Sequence, residues 1–394
     1  MKIKICFVTT SSISIDSFIF PCVPALRERG FEVSFVTSCK GDFAQRCENE
    51  GVKVFDFTVQ RGFDFIGTFQ AAQRFKKLCK KEQFDMVVYA TPNGALYGSI
   101  GSRAAKVPCR VLSQWGMRYA GFEGWKRTLI RNIEKISCIN ATDIRNVSEK
   151  NRAIAIADGM YKPEKCKVLG LGGTIGVDLE KYNIDKIPEM RQKTRQKLGI
   201  EENKLTYAFV GRICRDKGVG ELFEAFEAVN SENKNTCLML LGGIDDNPML
   251  DEGLLERAKE NPDIIFCGSV PNSEVAQYLS AADVLVHPTY REGFGMVLQE
   301  AAALKLPTVT TDIPGASEAI VDGKTGLLAK KQDSQSLKDA MVAMFDEETR
   351  KTFGENGRAR IEQHFERNMM IERICDDYLE IYKKRVENSI KIVK

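Results

Sequence analysis

The sequence predicts a two-domain α/β protein with parallel sheets. Three observations carry that prediction. Short, nearly all-apolar runs such as Ile3–Thr9, Phe84–Ala90 and Thr236–Leu241 recur along the chain, as expected of strands buried on both faces. Helical patterns separate these runs in both halves, the alternation of parallel βαβ units. The length, 394 residues, gives room for more than one core.

In the first half, strands are expected at Ile3–Thr9, Phe31–Thr37, Lys53–Phe57, Phe84–Ala90, Arg110–Ser113 and Asp143–Ser148. Helices are expected at Phe20–Arg29, closed by Gly30, and at Phe69–Lys81, Gly94–Ala105 and Trp125–Ile139. A polar stretch with Pro188, Lys181–Lys204, joins the halves and should hold one short helix. The second half repeats the alternation. Its strands read as Leu205–Val210, Thr236–Leu241, Ile264–Cys267, Asp283–His287 and Thr308–Thr311, and its helices as Glu221–Asn230, Leu254–Lys259, Ser273–Ser280 and Met296–Lys305. After Asp333 the pattern is helical to the end. The expected division is a first domain at 1–185, a linker at 186–204, a second domain at 205–365, and a helical segment at 366–394 packing back on the first domain. Two such domains face a central cleft, and ligands bind beyond the carboxyl ends of the strands.

Composition narrows the function. Lys and Arg number 57 against 54 Asp and Glu, a net charge of +3 that gives no reason to expect nucleic-acid binding. With 43% hydrophobic and 28% charged residues the chain is globular. Its apolar runs fall short of the roughly 20 residues of a membrane span. The start, with Lys2 and Lys4 before a short strand, does not read as a signal peptide, so a cytoplasmic chain is expected. Twelve scattered cysteines lack any CxxC spacing, and His287 and His364 are the only histidines. No metal or cofactor is expected, and the cysteines read as small buried hydrophobes of a reducing compartment.

Three segments just after strands carry chemistry. Gly211-Arg212-Ile213-Cys214-Arg215-Asp216-Lys217-Gly218 places two cations past a sharp turn, a pair suited to a leaving diphosphate, or else solvated loop charges. Arg291-Glu292-Gly293-Phe294-Gly295-Met296-Val297 opens a helix whose first-turn N–H groups suit an anion. On that helix Glu300 shares a face with Val297 and Leu304, so its carboxylate needs a partner: the hydroxyls of a sugar or ribose, or a structural cation. Thr311-Asp312-Ile313-Pro314-Gly315 is the third turn. His287, at a strand end before Pro288, reads as packed or as a ligand contact.

In order and spacing, Gly211-Arg212 with Lys217-Gly218, the Glu292-x7-Glu300 pair around Gly-Phe-Gly, Thr311–Gly315 with Glu318, and Asp322–Leu328 resemble the family 4 retaining glycosyltransferases of GT-B fold. Gly176-Val177-Asp178 is similar as well. The resemblance implies two Rossmann-like domains, the first binding acceptor and the second a nucleotide-diphosphate sugar, most simply a UDP-sugar. It implies that Arg212 and Lys217 neutralise the diphosphate and that Glu292 with them forms the catalytic set. Gly211, Gly293, Phe294, Gly295, Met296 and Val297 would bind donor, and Glu300 would grip its ribose. Front-face attack, in which the leaving phosphate helps take the acceptor proton, would need no protein base and no metal. Within the family, Arg61-Gly62, Gln114-Trp115-Gly116, Arg118-Tyr119 and Glu134-Lys135-Ile136 resemble capsule, exopolysaccharide and lipid-linked glycan assembly enzymes. That implies a growing, polyprenyl-diphosphate-linked glycan as acceptor, with Ser14, Trp115, Arg118 and His287 as candidate acceptor or sugar contacts. Trp115 stands near the position where many relatives carry a histidine, and Thr9–Ser14 lacks the family's double glycine. The alternatives are a non-catalytic sugar-nucleotide-binding protein on the same fold, or a GT-B nucleotide-sugar epimerase.

Two basic segments, Gln73–Lys81 and Trp125–Lys135, carry apolar residues at helical spacing. Each reads either as a peripheral contact with an anionic membrane at the inner face or as a helix packing its apolar stripe on the sheet.

Overall fold

The computed structural model describes residues 2–58 and 65–387. The chain divides into two compact units, Met1–Ile175 with Asn368–Lys394, and Gly176–Arg367. Arg61 and Gly62 lie outside the described residues.

The first unit is a seven-stranded parallel sheet in the order β3-β2-β1-β4-β5-β6-β7. Its strands are β1 (Ile3–Val8), β2 (Phe31–Thr37), β3 (Lys53–Asp56), β4 (Met86–Tyr89), β5 (Cys109–Gln114), β6 (Asp143–Asn146) and β7 (Cys166–Val168). Helices α1 (Ser12–Phe18), α2 (Val23–Glu28), α3 (Phe43–Asn49), α4 (Phe65–Glu82), α5 (Pro92–Ala104), α6 (Gly124–Asn140) and α7 (Glu149–Ala157) connect them. Short apolar strands pair where the patterning expects them: Val8, Val87 and Tyr89 are buried in one core with Phe75 of α4 and Tyr97 of α5. The helix expected at Phe20–Arg29 is divided. Pro21 and Pro24 remove two backbone donors, so a 3₁₀ turn at Phe20–Cys22 precedes α2.

The second unit is a six-stranded parallel sheet in the order β10-β9-β8-β11-β12-β13. Its strands are β8 (Leu205–Val210), β9 (Thr236–Leu241), β10 (Ile264–Gly268), β11 (Val284–His287), β12 (Thr308–Thr311) and β13 (Gly326–Ala329). The helices are α8 (Ile187–Leu198), α9 (Val219–Glu232), α10 (Glu252–Glu260), α11 (Val275–Leu279), α12 (Met296–Ala303), α13 (Ala316–Ala319), α14 (Ser334–Ala343) and α15 (Glu347–His364). Phe209, Phe223, Phe226, Leu238, Leu240 and Val286 form its core.

The boundary differs from expectation, falling at Gly176 rather than after residue 185, and the 186–204 linker belongs to the second unit. Arg195 of α8 explains this. Its fully buried guanidinium donates to the carbonyls of Ala281, Glu201 and Lys204 at 2.8, 2.6 and 2.5 Å. Burying a charge is costly without such partners, and here they tie the linker to the second core.

The chain rejoins the first unit in α16 (Arg367–Tyr382). The Arg145 guanidinium donates twice to Asp377, at 2.5 and 2.9 Å, a fork geometry that fixes the helix rotation. Arg29 pairs with Glu372 and Asp376 at 2.6 and 2.7 Å.

Candidate active site

Both sheets reverse strand order at their middle, between β1 and β4 and between β8 and β11, the places where ligands of open α/β sheets bind. In the second unit three loops meet beyond those strand ends, and two glycines let them. Gly218 (φ +69°) brings its loop so close to β11 that a Cβ would lie 1.9 Å from the Pro288 carbonyl oxygen. Gly315 (φ +88°) seats the 311–315 turn against the Glu292 and Gly293 carbonyls, at 2.7 and 2.5 Å from such a Cβ. Any side chain at either position would push the loops apart.

Lys217, at the end of a 3₁₀ turn after β8, donates from Nζ to Glu292 Oε2 at 2.8 Å. His287, the last residue of β11, brings Nε2 to 3.4 Å from the same oxygen. Its ring is buried and lies over the Phe209 ring, with centroids 5.9 Å apart. Burial pushes the His287 pKa down, so the ring is neutral and the Nε2–H tautomer is the one that can donate to the carboxylate. Nδ1 is buried and completes no hydrogen bond. His287 is thus tied to Glu292 through Nε2 alone. Burial also pushes the Glu292 carboxyl up, but the His287 contact and the Lys217 charge outweigh it and hold the group well below the usual carboxylate range.

Arg212 stands differently. Its side chain is 58% exposed and pairs with Asp245, with Asp216 at 3.8 Å. Asp216 also meets Arg291 at 3.3 Å and accepts from the Cys214 thiol at 2.8 Å. Arg212 is thus an exposed cation held by carboxylates, and Lys217 a half-buried one held by Glu292. Sequence reasoning missed Asp216, Asp245 and Arg291. Asp216 could have been found, since it lies between the two cations in sequence; Asp245 comes from the separate loop after β9.

Gly295 (φ +80°) caps α12, and Met296 and Val297 open that helix. The Phe294 ring is buried 5.6 Å from the Phe365 ring. Gly211 follows β8 and Gly293 follows Glu292 directly. Glu300 lies farther along α12. Burial raises its carboxyl pKa, and the Tyr182 hydroxyl with the Lys181 and Arg367 charges opposes that without overcoming it. The Tyr182 hydroxyl is buried beside that carboxyl without completing a hydrogen bond to it, so it acts on Glu300 as a neighbouring dipole. Lys181, Tyr182 and Arg367 carry no motif that marks them in the sequence.

The remaining candidates belong to the first unit. Ser14 lies in α1 and Arg118 in a short 3₁₀ turn after β5. Trp115 directly follows β5, its ring 5.0 Å from that of Phe18. Among the described residues, no group of three or more His, Cys, Asp or Glu is placed to hold a metal ion.

Comparison with known proteins agrees with this arrangement. Residues 190–360 match the family described as "Glycosyl transferases group 1", and residues 4–148 match "Glycosyl transferase 4-like". The chain is 30% identical over 356 residues, 90% of its own length and 91% of the relative's, to the capsular polysaccharide biosynthesis glycosyltransferase CapM of Staphylococcus aureus. It is 25% identical over 396 residues, covering 98% of itself and 100% of the relative, to the N,N'-diacetylbacillosaminyl-diphospho-undecaprenol alpha-1,3-N-acetylgalactosaminyltransferase of Campylobacter jejuni. Among solved structures, Anabaena HepE in complex with UDP and glucose superposes with a TM-score of 0.79 at 20% identity, covering 96% of this chain and 100% of that one. The chain belongs to the family 4 glycosyltransferases of GT-B fold.

Proposed function

We propose that this glycosyltransferase moves a sugar from a UDP-sugar, with retention, to a growing glycan carried on polyprenyl diphosphate in capsule or exopolysaccharide assembly, at the cytoplasmic face of the membrane. The observation that carries the reading is the Lys217–Glu292–His287 cluster at the switch point of the second sheet, with Arg212 beside it. In the step proposed, the bond from the anomeric carbon to the phosphate oxygen breaks. The acceptor oxygen bonds that carbon on the same face, and its proton passes to the departing phosphate. Negative charge grows on the diphosphate, so Lys217 and Arg212 stabilise the transition state more than the ground state. Glu292 faces the donor sugar, and Glu300 accepts from both ribose hydroxyls. With two cations and a helix N-terminus opposing the phosphates, the chemistry proceeds without a metal. CapM supports the capsule setting, and the E. coli UDP-Gal:alpha-D-GlcNAc-diphosphoundecaprenol alpha-1,3-galactosyltransferase, 24% identical over 365 residues, supports donor and acceptor class.

The test is a thermal-shift screen against UDP-, GDP-, ADP- and dTDP-sugars, followed by transfer to a polyprenyl-diphosphate sugar with and without EDTA. A ligand that binds only the folded protein raises its melting temperature. UDP-sugars should do so, turnover should survive chelator, and the product should keep the donor's anomeric configuration. Activity that disappears with EDTA and returns with Mg²⁺, or an inverted product, would overturn the reading.

A further inference from the structure

The Asp322–Leu328 segment, which the sequence singles out, has no part in the site described above. Its turn borders an open hollow of about 320 Å³ on the flank of the second unit, walled on the other side by α15. Asn356, Ala359, Arg360, Gln363 and His364 line that wall at the spacing i, i+3, i+4, i+7 and i+8, so they share one face of the helix. Ala359 is the shortest of them and leaves the middle of the stripe low. Lys324 and Thr325 form the facing wall. Asn356 Nδ2 donates to the Lys324 carbonyl at 3.0 Å and ties the two walls together.

The hollow is cationic and unbalanced. Lys324, Arg360 and the His364 imidazole line it, and no carboxylate does. Arg360 is the informative member. Its side chain is partly buried, Nη2 donates to the Glu318 carbonyl at 3.0 Å, and the guanidinium lies 5.0 Å from the centre of the Phe365 ring. Nε is buried and completes no hydrogen bond. Burial pushes the Arg360 pKa down, and no neighbouring carboxylate opposes it. Arg145 and Arg195, by contrast, each meet an aspartate, at 2.5 and 3.6 Å. The nearby acids are engaged elsewhere: the Glu318 carboxylate accepts from the Gly315 amide at 3.0 Å, and Glu362 pairs with Arg358 at 2.6 Å. A partly buried guanidinium without a counter-ion is costly, and an anion entering the hollow lowers that cost. A planar fork of N–H groups and an imidazole on one wall, with a mobile ammonium on the other, suit a tetrahedral oxyanion that offers several acceptor oxygens.

We infer that this hollow binds a phosphate-class anion, either inorganic phosphate or the phosphate of a monoester. None of its residues belongs to the loops assigned to the donor, so the inference stands apart from the donor reading. Inorganic phosphate is the probe. The loops after β8 and β11 are cationic too, so the titration uses full-length protein carrying Arg212→Ala and Lys217→Ala. Isothermal titration with phosphate, at an ionic strength held constant with chloride, should show one site in this background, and phosphate should raise its melting temperature. Adding Lys324→Ala should weaken binding about tenfold, as expected for the loss of one charge-assisted hydrogen bond, and Lys324→Glu should abolish it. His364→Ala should act in the same sense as Lys324→Ala. Lys324 is exposed, so its variants should melt with the parent when phosphate is absent. Arg360 is left intact because it also packs on Phe365. Glycerol 3-phosphate, titrated in parallel, tells the two sources apart by which of the two binds tighter. Phosphate binding that vanishes with Arg212→Ala and Lys217→Ala, or that Lys324→Glu leaves unchanged, would overturn the inference.

Discussion

The two parallel sheets share a topology and differ in what they hold beyond their central strands. In the second unit, the loops after β8 and β11 present Arg212, Asp216, Lys217, Arg291 and Glu292, full charges linked by ion pairs of 2.8–3.8 Å where the spacing is ordinary. In the first unit, the loops after β1 and β4 present Thr9, Thr10, Ser11, Ser12 and Thr91, hydroxyls without a full charge. Thr91 Oγ1 accepts from the Thr10 amide at 2.9 Å and lies 2.8 Å from Thr10 Oγ1. The fold supplies the same position twice; loop chemistry assigns the roles. Under the function proposed above, the charges of the second unit oppose a departing diphosphate and the neutral hydrogen-bonding groups of the first suit the uncharged ring of a glycan.

The largest expected effect lies in the charged set. Lys217→Ala removes a half-buried cation already in contact with Glu292, and should raise the barrier to transfer by about 2–4 kcal/mol. Arg212→Ala, at an exposed side chain, should act in the same sense but less. Steady-state kinetics with saturating donor separate the two. Equal and near-wild-type turnover in both variants would remove the diphosphate assignment from this loop.

Next come the two glutamates, which burial and partners drive apart. Glu300→Gln should weaken UDP binding by about 1.5–3 kcal/mol, the range for hydrogen bonds to charged groups. Without ligand the variant should be as stable as wild type or more so, since an under-satisfied carboxylate is gone. The pH dependence has a definite sign. The Glu300 pKa is raised on folding, so its penalty is absent below the ordinary value of 4.5 and grows as pH rises through the folded value. The Glu292 pKa is depressed, so its stabilisation is present above 4.5 and is lost as pH falls toward the folded value. The melting-temperature gain of Glu300→Gln and the loss of Glu292→Gln should both be larger near neutral pH than in acid. A Glu300→Gln protein that melts early yet binds UDP normally would make Glu300 a structural residue.

The uncharged loops are tested through Thr91, which holds φ 62° and ψ 149°, a region costly for a β-branched residue. Both Thr91→Ala and Thr91→Gly lose the hydroxyl bonds to Thr10, but only glycine relieves the backbone. The glycine variant should therefore be the more stable of the two, by about 1 kcal/mol in urea unfolding, despite its greater chain entropy. The usual order, alanine above glycine, would show that Thr91 is not strained.

How far the sequence could be read follows the same division. The central strands of both sheets were legible because apolar runs buried on both faces leave a strong local pattern, as at Thr236–Leu241. The three loops of the second unit were legible because glycines and charges recur at fixed spacing around them. Short helices registered unevenly: α1, α3 and α7, with 7, 7 and 9 residues, went unread, while α10 and α12, with 9 and 8, were read. The linker was misread because its polar composition hid Arg195, whose burial is stabilised in part by the Ala281 carbonyl, distant in sequence. The apolar stripe on α6 was visible, but its direction was not: Trp125, Leu129, Ile136 and Ile139 are exposed. Periodicity gives a helix two faces without saying which one meets the sheet, and tertiary packing decides that.

The smallest effect sharpens the contrast between the two cations of the charged loop. Arg212 is held by Asp245 and lies near Asp216, whereas Lys217 is held by Glu292, a residue proposed to face the donor itself. A diphosphate must draw Arg212 away from Asp245 before it gains the guanidinium, so that carboxylate competes with the ligand. Arg212 is mostly exposed, and water screens its pair, which limits the competition to the range of about 0.2–1 kcal/mol seen for surface ion pairs. Asp245→Asn keeps the side chain's size and removes its charge. UDP should bind this variant tighter by a factor of up to about five, with the difference shrinking as salt is added because exposed charges are screened over about 10 Å at 0.1 M. Isothermal titration of both proteins at low and high salt measures it. Weaker UDP binding by Asp245→Asn would mean that Asp245 orients Arg212 for the phosphates instead of holding it back.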